Sequence, residues 1–234
     1  MIAELEKIQF KNDIGIWIDR YINLKNITHY HKEIELIWIK EGSLKINVNT
    51  DSYLCNQGDM VFCNSDDVHY IESIGESVCD IIIFDVNIIK NIADSYIIPH
   101  HHITKNELSA NRSDPKALID KVNFEINRQD RFYKESAYSA ILNFFSHLYR
   151  NYATAYTGAE KNDANVITTY KKLIAYIETN YDTITFEEAA TITHYSKAYF
   201  SRIFKNIAGM TFSRYLNLVR IEKAIEKIKL KESN

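Results

Sequence analysis

Four side chains in the first third of the chain belong to residue types that bind transition metals. His29, His31 and Glu35 have the same parity, so on a β-strand all three point to one face, with i and i+2 about 7 Å apart. His69 stands on a later stretch and completes a set of three imidazoles and one carboxylate. Such a set can coordinate zinc, iron, nickel or manganese.

The same four residues have three interpretations. They form an occupied metal site, or they line a pocket for a small organic effector, or they bond turns and backbone as structural residues. Trp38 is grouped with the pocket residues because an aromatic ring can stack on an effector, although core packing is its commoner role. A run of histidines from His100 to His102 follows Pro99 and is interpreted as a solvated loop.

A second set of candidate residues lies on a short basic segment near the C-terminal end. Ser196 can cap a helix there, and Phe200 and Phe204 mark its buried face. The opposite face carries Lys197, Ala198, Ser201, Arg202 and Lys205. An arginine on such a face can make a bidentate contact to guanine, whereas lysines contact phosphates, which position the protein without specifying sequence. The alternative is a surface helical hairpin with ordinary solvated charges.

The first set needs β-strands to position it, and the first half of the chain has their pattern. Apolar residues alternate at 14, 16 and 18 and again at 44, 46 and 48, and turn signals recur at short intervals. Many short strands at this spacing indicate a sandwich or barrel. We therefore predict a β-barrel over residues 1–112, with Cys55, Cys63 and Cys79 as small buried residues.

The pattern changes to helices near residue 114. Asp114 before Pro115 is typical of a helix start, and apolar residues then recur at helical spacing. We predict an amphipathic helical pair over 113–152, which buries one face against the barrel or against a second subunit. Residues 153–165 lack periodicity and are predicted to be a linker.

The second set needs a short helix that follows another one closely. A helix is predicted from about Val166, and Thr185 with Glu188 has the form of a capping box for the next helix. A short break over 193–195 then leads into the basic helix, which Gly209 should end. Two short helices joined in this way fit a helix-turn-helix over 166–234.

Charge and composition limit the class of protein. The net charge is -3, yet residues 170–234 hold 11 basic and 7 acidic residues against 17 and 24 in the remainder. A basic end on an acidic body suits nucleic-acid contact at that end alone. We expect a cytoplasmic protein without a membrane segment, because no apolar run is long enough to span a bilayer and the start does not resemble a signal peptide.

The C-terminal segment resembles the AraC/XylS family of bacterial regulators. The matching elements are the Y-F-S-R-I-F-K run at Tyr199–Lys205, the A-G-M-T run at Ala208–Thr211, and Y-L-N-x-x-R-I-x-x-A at Tyr215–Ala224. The resemblance implies that Ala198, Ser201 and Arg202 face bases. It also implies that Arg220, which matches an arginine of the connecting helix, is a DNA-binding residue. It also implies a second helix-turn-helix beyond a long joining helix, which the chain does not include.

The histidine stretch resembles the first motif of the cupin superfamily and, more loosely, the second. The two resemblances together predict an α+β protein: a cupin-like double-stranded β-barrel with two flanking helices, then the first half of an all-α helix-turn-helix domain. They imply a homodimer that binds promoter DNA and a small-molecule effector, a sugar being one candidate, and they imply no enzyme activity. Two alternatives stay open: a cupin-type metalloenzyme, and a sensing and dimerising fragment that does not bind DNA by itself.

Overall fold

The N-terminal half is built from a strongly bent antiparallel sheet. The computed structural model describes residues 14–93, 96–98, 101–155 and 161–232. The strands are β1 (Ile16–Ile22), β2 (Ile34–Val48), β3 (Asp51–Asn56), β4 (Met60–Cys63), β5 (His69–Phe84), β6 (Tyr96–Ile97), β7 (His102–Ile103) and β8 (Thr154–Ala155). Strand β2 lies at the centre of the larger sheet, whose order is β1-β5-β2-β4-β7, and β3 pairs with β2 as well.

Each of the two long strands takes part in both halves of the bent sheet. The first half of β2 pairs with β4 and with the end of β5, whereas its second half pairs with β3 and the start of β5. The register shifts on either side of Glu41, so the bend falls at Gly42. Gly42 has a φ of +73°, and a Cβ there would lie 2.2 Å from the Glu76 carbonyl oxygen, so only glycine fits.

The two faces of the sheet bury two different cores. The inner core lies between the two halves and includes Ile37, Ile39, Leu44, Ile46 and Val61 together with the three buried, free cysteines. The outer core packs the even-numbered residues of the first half of β2 against the helices that follow the barrel. Side chains alternate along a strand, and the register shifts around Glu41 change the inward-facing residues from odd numbers before the bend to even numbers after it.

The helices form a pair against the barrel and a second group at the end of the chain. They are α1 (Lys90–Ala93), after a 3-10 turn at Val86–Ile89, then α2 (Lys105–Ala110), α3 (Pro115–Arg128), α4 (Tyr133–Tyr152), α5 (Lys161–Asn180), α6 (Phe186–Ile192), α7 (Lys197–Ala208) and α8 (Phe212–Glu232). The last four share a core in which Phe200, Phe204 and Phe212 stack edge to face. No helix in the described ranges is long and apolar enough to cross a membrane.

The predicted cap residues lie at the helix ends where the sequence placed them. The Asp114 carboxylate accepts from the Ala117 N–H, Thr185 from the Glu188 N–H and Ser196 from the Tyr199 N–H. Gly209 ends α7 with a left-handed φ of +68°. The α+β prediction is confirmed, with a barrel first and helices after it.

Two local predictions were wrong. The predicted linker over 153–165 includes regular elements: β8 pairs with β6, and α5 already begins at Lys161, five residues before the expected start. The histidine run was predicted to be a solvated loop; His100 lies outside the described residues, and the other two histidines do not form a solvated loop. His101 is buried beneath the Phe62 carbonyl, and His102 belongs to β7. Tertiary pairing with β4 fixed this stretch, which local sequence rules do not capture.

Candidate functional site

Three imidazoles and one carboxylate converge inside the barrel. One ligand atom from each of His29, His31, Glu35 and His69 lies within 4.8 Å of all the others. His31, Glu35 and His69 are only 1%, 2% and 1% exposed, and His29 is half-buried. The predicted convergence of these four residues is therefore present in the structure; we call them the His/Glu cluster.

Backbone pairing holds the cluster together. Glu35 lies on β2 opposite Cys63, so its side chain joins the inner face. His29 and His69 form an antiparallel bridge in which each backbone N–H donates to the other's carbonyl at 2.9 Å. The two imidazole rings lie 4.2 Å apart as a result.

Backbone carbonyls fix which nitrogen of each ring faces the cluster. The Nδ1 atoms of His29, His31 and His69 lie 2.9, 3.1 and 2.9 Å from the carbonyls of residues 27, 33 and 67. A carbonyl oxygen only accepts, so each Nδ1 carries a proton and donates. The Nε2 atoms of His31 and His69 both approach the same Glu35 oxygen, at 3.0 and 3.1 Å. Nδ1 donation of this kind orients a histidine for coordination through Nε2.

The electrostatics of the cluster favour an ionised carboxylate. Burial raises the pKa of Glu35, but the charge and hydrogen bonds of His69 and His31 outweigh it and bring that pKa well below its usual range. Burial lowers the pKa of His69, and Glu35 reverses the effect, so it ends above its ordinary value. Burial and the neighbouring His69 lower the pKa of His29 to about 3. A buried anion thus faces nitrogen ligands from several sides.

Trp38 does not lie with the cluster. Its even number places it on the outer face of β2, where it packs against the outer core. There it lines a groove of about 410 Å³ with Lys105, Leu108 and Arg112. Grouping Trp38 with the histidines was wrong because side chains alternate along the strand. Another histidine–carboxylate pair, His102 with Asp59 at 3.0 Å, lies near this outer groove and outside the cluster.

The second candidate site is the exposed face of α7. Lys197, Ala198, Ser201, Arg202 and Lys205 are all exposed there, while Phe200 and Phe204 are buried. The Arg202 guanidinium lies 5.4 Å from the Tyr199 ring centroid, at a cation–π distance, and Arg202 stays exposed. Lys197 pairs with Glu187 of α6 at 2.8 Å, in a solvent-exposed contact that DNA phosphate can replace.

Arg220 has a different position from the other predicted DNA-contacting residues. Its guanidinium donates to the Tyr181 carbonyl at 2.7 Å and lies 3.4 and 3.5 Å from the carbonyls of Asp182 and Ile184. These contacts join α8 to the turn between α5 and α6. Arg220 therefore stabilises the packing of α8 against the turn that precedes the helix-turn-helix.

Sequence reasoning missed a contact surface between the barrel and the helical domain. Thr28, Asn47 and Asp66 of the barrel contact Ile207, Asn206 and Lys171. The sequence held a signal for Thr28, because side chains alternate along extended backbone. If His29 faces the barrel interior, its neighbour Thr28 must face away from it.

Comparisons with known proteins agree with both halves of the structure. The family of AraC-like ligand-binding domains matches residues 18–160, and the family of bacterial regulatory helix-turn-helix proteins of the AraC type matches residues 177–217. Two relatives from Bacillus subtilis are described as HTH-type transcriptional regulators. YdeC is 26% identical over 99% of this chain and 81% of its own length, and YbfI is 22% identical over 84% and 71%. A solved structure of ToxT from Vibrio cholerae is 14% identical, with a TM-score of 0.42 over 86% of this chain and 98% of its own.

Proposed function

Because this chain belongs to the AraC family of bacterial regulators, we propose that it binds promoter DNA as a homodimer and alters that binding when an effector occupies the His/Glu cluster. It is a transcription regulator with an N-terminal ligand-binding domain and a C-terminal helix-turn-helix. Its partners are accordingly DNA and a small effector. Since its target is promoter DNA, its place of action is the cytoplasm.

The proposed DNA interface is the exposed face of α7. Arg202 and Ser201 are placed to reach base edges in the major groove, and Ala198 leaves room for close approach or contacts a thymine methyl. Lys197 and Lys205 lie at the two ends of this face and are placed for phosphate contacts. Arg220 contributes indirectly, because its hydrogen bond to the turn after α5 fixes α8 relative to the helix-turn-helix.

The proposed effector site is the His/Glu cluster, and the observation that carries it is the convergence within 4.8 Å of four polar side chains, three of them buried and His29 half-buried. Buried polar groups in a barrel interior are a natural recognition element. Regulation is favoured over catalysis because the relatives are regulators. A sugar effector would need the barrel to open beside the cluster.

Dimerisation is proposed through the helical pair α3 and α4. Phe124 on α3 is 50% exposed and Leu142 on α4 is 37% exposed, although Val122 and Ile141 of the same helices are buried in the outer core. A second copy covering these side chains would place two α7 helices on repeated half-sites. The mass measured by light scattering should be twice that of one chain, and Leu142→Glu should shift it toward the monomer. A monomeric wild-type chain at micromolar concentration would contradict the dimer.

DNase footprinting of the DNA upstream of the gene tests the proposed function as a whole. We expect a protected stretch with the wild-type chain and loss of protection with Arg202→Ala. A wild-type chain that protects no stretch at any concentration below non-specific coating would contradict it.

A further inference from the structure

A groove outside the barrel lies between the outer face of β2, α2 and the start of α3. It has a volume of about 410 Å³, and a second groove of about 430 Å³ lies between α3 and α4. Arg112, Ser113 and Asp114 line both grooves, so the two meet at the turn that joins α2 to α3. The first, which Trp38 also lines, is the outer groove. Both volumes fall in the range of sites that hold small organic molecules.

Ser113 brings a buried hydroxyl without a partner to this turn. The residue is 6% exposed, and its Oγ makes no hydrogen bond to any residue in the described ranges. Its backbone N–H donates to the Leu108 carbonyl at 2.9 Å, which fixes the position of the residue. The large majority of buried polar side chains in proteins have a hydrogen-bond partner. An unpartnered hydroxyl on the wall of two grooves therefore marks a place for a bound acceptor.

Two exposed cations at the outer groove also have no partner. Neither the Arg112 guanidinium nor the Lys105 ammonium forms an ion pair or a hydrogen bond with another residue that the structure describes. The aliphatic chain of Lys105 lies against Gly58, where a Cβ would be 2.6 Å from the Lys105 Cδ. Among the described lining residues Asp114 is the one carboxylate, so the outer groove keeps a net positive charge.

The donors at this turn favour a phosphate monoester over a carboxylate as the bound anion. The guanidinium, the ammonium and the hydroxyl supply three separate groups of donors. A phosphate monoester presents three strong acceptor oxygens and a charge of about −1.5 to −2. A guanidinium also binds phosphate through two parallel hydrogen bonds. A carboxylate has two oxygens and a single charge, so it would match fewer of these donors.

The apolar side of the outer groove indicates what the phosphate is attached to. Trp38 is half-buried and lines the groove together with the buried residues Leu108 and Pro115. An aromatic ring is a surface on which a nucleobase stacks, whatever the identity of the base. The Asp114 carboxylate accepts from the Ala117 N–H through Oδ1, and its Oδ2 can accept from a ribose hydroxyl. A phosphate bound at the turn and a planar ring on Trp38 together describe a nucleoside monophosphate.

We propose that the outer groove binds a nucleoside monophosphate, with the phosphate held by Arg112, Ser113 and Lys105 and the base stacked on Trp38. This site is separate from the His/Glu cluster, because Trp38 and Glu35 lie on opposite faces of β2. The proposal does not rest on the proposed function, since it requires neither DNA nor an occupied cluster. It adds a second ligand to the chain.

Calorimetric titration of the full chain with each of the four ribonucleoside monophosphates tests the site. We expect one nucleotide per chain for at least one base. Because stacking contributes to binding, that nucleotide should bind about tenfold or more tightly than inorganic phosphate, and also more tightly than its own nucleoside or benzoate. A wild-type chain that binds none of the four overturns the proposal. Inorganic phosphate or benzoate bound as tightly as the nucleotide overturns it as well.

An arginine variant and its matched control locate the phosphate. Arg112→Gln should weaken nucleotide binding by about tenfold or more, because it removes hydrogen bonds between charged groups. Arg128→Gln should leave the affinity unchanged, since Arg128 is exposed on α3 and lines neither groove. Equal losses in the two variants would mean that the nucleotide is held by general charge and would refute the site.

Ser113→Ala separates a hydroxyl that binds a ligand from one that stabilises the fold. The thermal midpoint of the free chain should stay the same or rise, because the hydroxyl that is removed has no partner to lose. The nucleotide affinity should nevertheless fall. A lower midpoint with an unchanged affinity would contradict the role given to Ser113.

Fluorescence places the base. Trp17→Phe leaves Trp38 as the single tryptophan of the chain, and the bound nucleotide should then quench its emission. Calorimetry on the same variant shows whether it still binds. Binding without any change in Trp38 emission would put the nucleotide elsewhere and overturn the proposal.

Discussion

At the residue scale, the two exposed cations of α7 differ in what each side chain can contact on DNA. Arg202 is exposed on α7 and is supported by Tyr199, while Lys205 is exposed one turn later. These two cations have different proposed roles, because a guanidinium can pair with guanine in two hydrogen bonds and an ammonium acts on phosphate as a point charge.

The Arg202→Ala variant should lose about 1–3 kcal/mol of binding free energy at one base position and relax the preference there. Lys205→Ala is the control, and it should weaken binding about equally on all duplexes and reduce the salt slope by about one. Competition binding on a panel of single-base variants measures both. Uniform loss in Arg202→Ala would assign Arg202 to the phosphate backbone instead.

Arg220 illustrates a residue whose role changed between sequence and structure. Arg220→Ala leaves the Tyr181 carbonyl without the guanidinium donor, so it should lower the free energy of unfolding by about 1–3 kcal/mol. Arg214→Ala, on an exposed position of the same helix, should change it by less than about 0.5 kcal/mol. Denaturant unfolding followed by circular dichroism gives both values. Equal stability of the two variants, with weaker DNA binding in Arg220→Ala alone, would return Arg220 to the DNA interface.

At the element scale, the end of α7 is where the helix and the barrel meet. Gly209 and Gly75 share a φ of +68°, but a Cβ at Gly209 meets the Tyr70 ring and one at Gly75 meets no atom within 4 Å. Alanine substitutions at Gly75 and Gly209 can therefore distinguish the cost of backbone strain from the cost of a steric clash.

Gly75→Ala should reduce the free energy of unfolding by about 1 kcal/mol from its left-handed backbone alone. Gly209→Ala should cost clearly more, because the Tyr70 ring must also move. Removing the ring in a Gly209→Ala/Tyr70→Ala double variant should recover part of the difference, as a double-mutant cycle measures. Additive effects of the two substitutions would mean that Tyr70 does not pack on Gly209 in solution.

At the scale of the whole molecule, local patterns in the sequence predicted the helices and strands, whereas long-range strand pairing determined which residues they pack against. The caps at Asp114, Thr185 and Ser196 were predictable because capping depends on residues three apart. Parity predicted that His29, His31 and Glu35 share a face, although it takes the register of β2, β4 and β5 to show how closely they meet.

The errors have the same physical origin. Trp38 was placed in the pocket by its residue type, whereas its even position sends it to the outer core. His101 was placed in a loop, whereas pairing of β7 with β4 buries it. Contacts such as Asn47 with Asn206 join residues 159 positions apart, and no local rule specifies them.

The whole molecule is thus a barrel that encloses the His/Glu cluster and contacts a helix-turn-helix domain with its outer surface. His29 and His69 of the cluster are sequence neighbours of Thr28 and Val68, which contact the helical domain. An effector shifts the output only if it binds the docked and the released states with different affinity.

Whether this chain reads DNA can be measured by fluorescence anisotropy on its own upstream DNA and on a scrambled duplex, each titrated with salt. We predict tighter binding to the upstream duplex and an affinity that falls linearly on a log–log plot, with a slope of about −0.9 for each phosphate contact. Equal affinity for both duplexes, or no binding at low salt, would contradict the claim that this chain reads DNA.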